Sequence, residues 1–217
     1  MNPASVPCPP VTGTAGDFGG AQPDKYAACT PLRFYQYWES PQALPAEGGV
    51  AYVGCSATGL WFYTCLQDSD IFSQATADDQ KMWTLGDVVE FFIKPGRARS
   101  DYWEIHVTPN SFLMDLYIRD REDFMAGRTS FEEALAHRSQ AQFHVAVMED
   151  RNQWSTEICI PWQAFGVDGM PESGVVWQFA VCRYNCNGGL EQPELSSVAP
   201  FSVRSFHRHE EFLDLVF

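Results

Sequence analysis

Two segments of this chain place carboxylates where apolar residues dominate. The first, WTLGDVVEFFIKPG, carries Glu90 among Val88, Val89, Phe91, Phe92 and Ile93. The second, DYWEIHVTPN, carries Glu104, His106 and Thr108 at alternate positions. A carboxylate in an apolar strand is costly to bury unless it is paired or hydrogen-bonded. Glu90 therefore either faces water or lines a polar recess, and Trp83 stands a few residues upstream as a wall for such a recess. An aromatic ring beside strand-borne polar groups is suited to holding a sugar. The apolar C–H face of a pyranose stacks on the ring, its hydroxyls pair with carboxylates and imidazoles, and an aromatic supplies that area at little rotamer cost.

Each candidate has a plainer reading beside the functional one. Trp83 is either an exposed platform or a plug at the edge of the core. The period of two puts Glu104, His106 and Thr108 on one face of their strand and Trp103, Ile105 and Val107 on the other, which must pack inward. The polar trio then lines a ligand site or an ordinary wet sheet face. Glu90 shares its face with Val88 and Phe92, so it sits under partial cover. Its partner is a ligand hydroxyl or an arginine such as Arg183 or Arg204. Trp61, Trp103, Trp154, Trp162 and Trp177 alternate with apolar neighbours or adjoin proline and read as core.

Other chemistry is less specific. Asp68, Asp70, Asp78 and Asp79 make an oxygen-rich stretch compatible with structural calcium, or simply a solvated acidic loop, and no EF-hand pattern is present. His207, His209, Glu210 and Glu211 lack HExxH spacing and read as decoration of a loop entering the last strand. A haem would be offered Met82, His106 or Met114 as axial ligands. Glu90 and Glu104 could serve as an acid–base pair on a glycosidic bond, but GxSxG, phosphate-loop and zinc signatures are all missing.

The elements that must position these residues follow from length and patterning. A chain of 217 residues with 45% hydrophobic and 14% aromatic residues has material for one large globular domain. A net charge of −14 argues against binding nucleic acid phosphates or an anionic membrane face. No stretch is long and apolar enough to span a membrane. The N-terminus has no signal-peptide pattern as written, and an extracellular or periplasmic location is the expectation. Of seven cysteines, Cys55, Cys65, Cys159 and Cys182 lie in apolar runs and read as small hydrophobes, whereas Cys8, Cys29 and Cys186 lie in less regular segments and could bridge.

Residues 1–30 read as an irregular arm, and residues 31–217 as one domain. Within it, short strands recur at regular spacing: 51–57 and 60–67 as a hairpin turning at Thr58-Gly59, then 87–93, 102–107, 111–118, 143–148, 154–160, 175–184 and 212–217. That rhythm marks an all-β sandwich or barrel. The stretch from Arg119 to His137 interrupts it with a short helical patch, FEEALAH, and one helical turn is expected over 162–165 after Pro161.

Taken in order, DSDIF, W…GDVVEFFIKP, YWEIHVTPN, WSTEICIPWQAFG, VWQFAVCRYN and SFHRHEEFLDLVF resemble a family 9 carbohydrate-binding module, of the wider DOMON-like β-sandwich group. The resemblance runs from Pro31 to Phe217. It implies an antiparallel β-sandwich with short helical insertions, whose concave face binds a sugar non-catalytically between two aromatic rings. Residue by residue, it places Trp83 near the first aromatic and Glu90 on the acid that accepts sugar hydroxyls. Glu104, His106 and Thr108 fall on positions that reach the ligand, and Phe206 on the second aromatic, beside Arg204. The sequence departs from the pattern in three places. Trp83 is one residue further from Asp87, Phe206 replaces a tryptophan, and Glu104 and His106 stand where amide and arginine partners are expected. The competing readings are an accessory or interaction sandwich without a sugar site, a glycoside-processing enzyme and a haem-binding domain.

Overall fold

The computed structural model describes residues 1–12, 23–135 and 138–217. Residues 13–22 of the expected arm, and Ala136 and His137 at the end of the expected helical patch, lie outside the described residues. Two sheets stack face to face. One contains, in spatial order, β1 (Ser5–Pro7), β12 (Leu213–Val216), β10 (Val176–Asn185), β5 (Val88–Lys94), β6 (Tyr102–Val107) and β7 (Leu113–Ile118), and β11 (Glu194–Ser197) pairs with the end of β10. The other runs β2 (Leu32–Arg33), β3 (Gly49–Cys55), β4 (Gly59–Gln67), β9 (Gln153–Pro161) and β8 (Gln142–Met148). The chain is thus an all-β sandwich. Among the described residues its strand-to-strand pairings are antiparallel except β1 with β12, which is parallel.

Side-chain alternation explains the packing. Phe62 of β4 meets Phe91 of β5 and Phe179 of β10 at ring-centroid distances of 5.3 and 5.9 Å, so these residues face the space between the sheets. By the period of two, Val89, Ile93, Trp103, Ile105 and Val107 share that side. Val88, Glu90, Phe92, Glu104 and His106 then point to the outer side of the first sheet, yet every one of them is buried. The five tryptophans expected in the core, Trp61, Trp103, Trp154, Trp162 and Trp177, are all buried.

The strands expected from the sequence are all present, with ends shifted by at most two residues. The N-terminal lead-in differs from its expectation as an irregular arm. Ser5–Pro7 pairs with β12, Pro10 bridges to Cys55, and Val6, Cys8 and Val11 are buried. Further along, Tyr26 stacks on Tyr63 at 5.5 Å, and Lys25 Nζ sits 3.5 Å above the Trp61 ring and 2.9 Å from Glu157. The physical cause is twofold: β12 would otherwise be a bare sheet edge, and the aromatic outer face of β4 needs cover. The cysteines are all unbridged. Of those that could have paired, Cys8 lies against Cys55, whose thiol donates to the Cys8 carbonyl at 3.3 Å.

Two short helices cross the outer side of the first sheet. Helix α1 (Arg121–Met125) is capped by Asp120, whose side chain accepts from the Asp123 amide at 3.0 Å. Helix α2 (Phe131–Leu135) begins with a reciprocal capping box. Ser130 Oγ accepts from the Glu133 amide at 3.1 Å, and the Glu133 carboxylate accepts from the Ser130 amide at 2.7 Å. These caps let helices of barely more than one turn persist as a roof.

Candidate functional site

The floor of the site is set by strand register. Glu90 and His106 are direct cross-strand partners, and Glu104, two residues before His106, shares their face. His106 Nε2 lies 2.8 Å from Glu104 Oε1 and 3.3 Å from Glu90 Oε1. Glu90, Glu104 and His106 are 2%, 4% and 0% exposed, which overturns the ordinary wet sheet face as a reading of this strand. Neither arginine expected as a partner of Glu90 is bonded to it. Cys182 pairs with Glu90 across the sheet, so Arg183 points to the opposite face and pairs there with Asp68 at 3.0 Å. Arg204 donates to the Pro193 carbonyl at 2.7 Å.

Above this floor is a cavity of about 450 Å³. Glu90, Glu104 and Phe92 line its base; Trp83, Phe131 and Phe206 supply aromatic walls; Arg204 and Lys81 contribute cations. Trp83 is carried by a 3-10 turn, Met82–Thr84, anchored by the fully buried Met82 and closed by the Leu85 amide donating to the Met82 carbonyl at 2.9 Å. The turn re-enters β5 through Gly86 at φ +139°, where a Cβ would lie 2.6 Å from the Phe72 carbonyl oxygen, so only glycine fits. Asp87 then locks the entry, accepting from the Phe72 and Cys186 amides at 2.8 and 2.7 Å. The opposite wall is fastened in the same way. Phe206 packs among Trp38, Phe92, Tyr184 and Phe201, and the Tyr102 hydroxyl meets His207 Nδ1 at 2.8 Å.

The two floor carboxylates are held in opposite protonation tendencies. Burial, and then the charge of Glu104 beside it, pushes Glu90 well above the usual carboxylate range. Burial also acts on Glu104, but the neighbouring His207 and His106 imidazoles outweigh it and hold Glu104 below that range. Their ligand atoms lie within 4.8 Å of each other and of His106. The pair therefore favours a single negative charge, with one carboxyl suited to donate a hydrogen bond and the other to accept.

Other expected residues fall outside the site. Thr108 is fully buried at a turn. Its hydroxyl donates to Asn110 Oδ1 at 2.7 Å and accepts from the Phe112 amide at 3.1 Å, so its side chain is used locally and does not line the cavity. The four aspartates expected to gather calcium are dispersed. Asp68 is spent on Arg183 and the Trp154 indole, and Asp70 accepts from the Gly188 amide. Asp78 accepts from the Leu113 amide, and Asp79 pairs with Arg138. Among the described residues no three of them converge with ligand spacing. Met82 and Met114 are fully buried and neither lines the cavity. His209 and His207 flank the site, and only His207 reaches it, with Nδ1 3.7 Å from Glu104 Oε2.

The sequence reading missed Phe131, Lys81, Phe124, Tyr184 and His207 as cavity residues. One signal could have found two of them: the Arg119–His137 interruption carries two phenylalanines, Phe124 and Phe131, that the strand rhythm does not explain.

No family profile matches the sequence, and no curated relative matches it. Solved structures do. A "putative carbohydrate-binding protein" of Bacteroides uniformis ATCC 8492 superposes with a TM-score of 0.70 at 15% identity, over 98% of both chains. A family 9 carbohydrate-binding module of Caldicellulosiruptor kristjanssonii in complex with cellotriose gives 0.66 at 11% identity, over 98% of this chain and 92% of that one. A module of the same family and organism, in complex with glucose, gives 0.65 at 10% identity, over 98% and 94%. The chain therefore has, along almost its whole length, the β-sandwich fold of family 9 carbohydrate-binding modules.

Proposed function

We propose that the cavity beneath α1 and α2 binds a carbohydrate without transforming it, holding a monosaccharide or the end of a short oligosaccharide. The observation that carries this reading is an acid-floored cavity walled by Trp83, Phe131 and Phe206 on a rigid sheet face. Rings take the apolar face of a pyranose, while Glu90, Glu104 and Arg204 meet its hydroxyls. The volume suits a small ligand. Two fold neighbours that hold cellotriose and glucose support the same ligand class. Such a role suits a protein working outside the cell or in the periplasm.

An enzyme reading draws on the paired carboxylates. Both, however, lie on one floor and share one imidazole, whereas a glycosidase sets its acids on either side of the bond. The test is a glycan panel read by thermal shift and calorimetry on wild type and Trp83→Ala. Binding of at least one sugar by wild type, weakened in the variant, is expected. A panel in which no sugar stabilises the wild type would sink the proposal, and turnover of aryl glycosides lost in Glu90→Gln would replace it with the enzyme.

A further inference from the structure

We propose that Glu90, Glu104 and His106 form a binding site for one first-row divalent cation at the base of the cavity. The geometry comes first. His106 Nε2 stands 2.8 and 3.3 Å from the two carboxylate oxygens, and all three ligand atoms lie within 4.8 Å of one another. A tetrahedral zinc with bonds of about 2.0–2.2 Å separates its ligands by about 3.4 Å. That is close to the 3.3 Å between His106 Nε2 and Glu90 Oε1 and somewhat wider than the 2.8 Å between His106 Nε2 and Glu104 Oε1. They project from the paired central strands β5 and β6, which cannot easily move apart.

The second observation is an unmet demand. Glu104 Oε2 is buried and has no hydrogen-bond partner. Its nearest cationic candidate, His207 Nδ1, stands 3.7 Å away and is already engaged by the Tyr102 hydroxyl at 2.8 Å. The other cations of the neighbourhood are committed elsewhere: Arg183 to Asp68 on the far face, Arg204 to the Pro193 carbonyl, and Lys81 over the Phe131 ring at 5.3 Å. Two buried carboxylates thus face one cavity with imidazoles as their nearest positive groups. A buried carboxylate oxygen left without a donor is costly, and a divalent cation would supply the missing partner to Glu104 Oε2.

The donor set indicates the class of ion. One imidazole nitrogen with two carboxylate oxygens suits zinc, cobalt or manganese, whereas calcium prefers an all-oxygen shell of six to eight ligands. Three protein ligands leave a coordination position open. Glu90 and Glu104 line the cavity, so that position faces the space where the ligand would lie. Resting on the carbohydrate reading, this would let a sugar hydroxyl complete the coordination shell.

The experiment is a calorimetric titration of chelator-stripped protein with Zn²⁺, and in parallel with Co²⁺ followed by its visible absorption. Wild type, Glu104→Gln and His106→Gln are compared after circular dichroism has shown each to be folded. One ion per wild-type chain is expected, with affinity at least 100-fold weaker in both variants and the cobalt absorption lost. If the variants do not fold, nuclear magnetic resonance of the wild type decides, because binding must shift the His106 ring signals. Absence of stoichiometric binding by folded wild type, uptake unchanged in the variants, or unshifted His106 signals would each overturn the site. Zinc binding with no sugar response would overturn the carbohydrate reading and leave the metal site standing. Sugar binding without zinc uptake would do the reverse.

Discussion

The Trp83 indole meets the His106 imidazole edge-on, with ring centroids 5.6 Å apart and planes at 70°. One residue therefore does what two alternative readings assigned separately. It packs against the histidine, which is fully buried, and also walls the cavity beside Phe131, whose ring stands 6.1 Å away. Trp83→Ala is expected to weaken sugar binding about tenfold or more, at 1.4 kcal/mol per decade, while Trp83→Phe retains most of it. Calorimetry with the best ligand of the panel measures this. Equal loss in both variants would show that the ring does not stack on the ligand.

Phe131 is the complementary wall, contributed by α2. Phe131→Ala should weaken the same sugar with little change in melting temperature, since α2 lies over the sheet and outside the core between the sheets. A large drop in melting temperature with unchanged affinity would make α2 a structural brace only.

Asp68 and Arg183 form a buried ion pair, 0% and 1% exposed at their side chains. Arg183 also donates to Asn185 Oδ1 at 2.7 Å and to the Glu47 carbonyl at 2.9 Å. Arg183→Met leaves the Asp68 carboxylate buried without its counter-ion, at an expected cost of about 3–5 kcal/mol in urea unfolding. The double variant Arg183→Met/Asp68→Asn should recover part of that loss. A single-variant cost below about 1 kcal/mol would mean that water or another group reaches Asp68.

Asp87 gives a pH signature. Burial, partly offset by the Phe72 amide and then raised again by Asp68, pushes its carboxyl up to about 7. The unfolded value is near 3.9, so between about pH 4 and 7 the folded state binds more protons than the unfolded one. Stability from this group is fully present below pH 4 and is lost as pH rises through 7, with a slope of up to about 1.4 kcal/mol per pH unit. Asp87→Asn should flatten the stability profile across that window. Identical wild-type and variant slopes in urea titrations at pH 4.5, 5.5 and 6.5 would exclude the group as the source.

Thiol reactivity follows from burial. Cys65 is the one half-buried cysteine, and the other six are buried. Burial pushes Cys29, Cys159 and Cys186 up to about 11, which leaves little reactive thiolate at neutral pH. Native protein should react first at Cys65 with an aromatic disulfide reagent, more slowly than an open thiol because burial pushes this thiol up too. The denatured protein should titrate seven thiols. Fewer than seven in denaturant without reductant would reveal a bridge, with Cys8 and Cys55 the pair in contact.

Much of this architecture was written in local pattern. Alternation separated Glu104 and His106 from Trp103, Ile105 and Val107, and the strand rhythm with its turn residues marked the sandwich. The apolar setting of Glu90 announced a covered acid. A period of two says which side chains share a face, because pleating is a property of the strand itself. What roofs that face is decided by contacts between distant segments. His207 reaches Glu104 from a loop 103 positions later in the sequence, and α2 brings Phe131 against Trp83. The same cause placed Arg183 on the far side from Glu90 and scattered the four aspartates among separate partners, whereas Thr108 was drawn off by its own turn. Sequence by itself determined the sheet, its two faces and the acids on one of them. The tertiary structure alone decided that this face is a roofed cavity, because a buried charge takes its partner from whatever the fold brings near it.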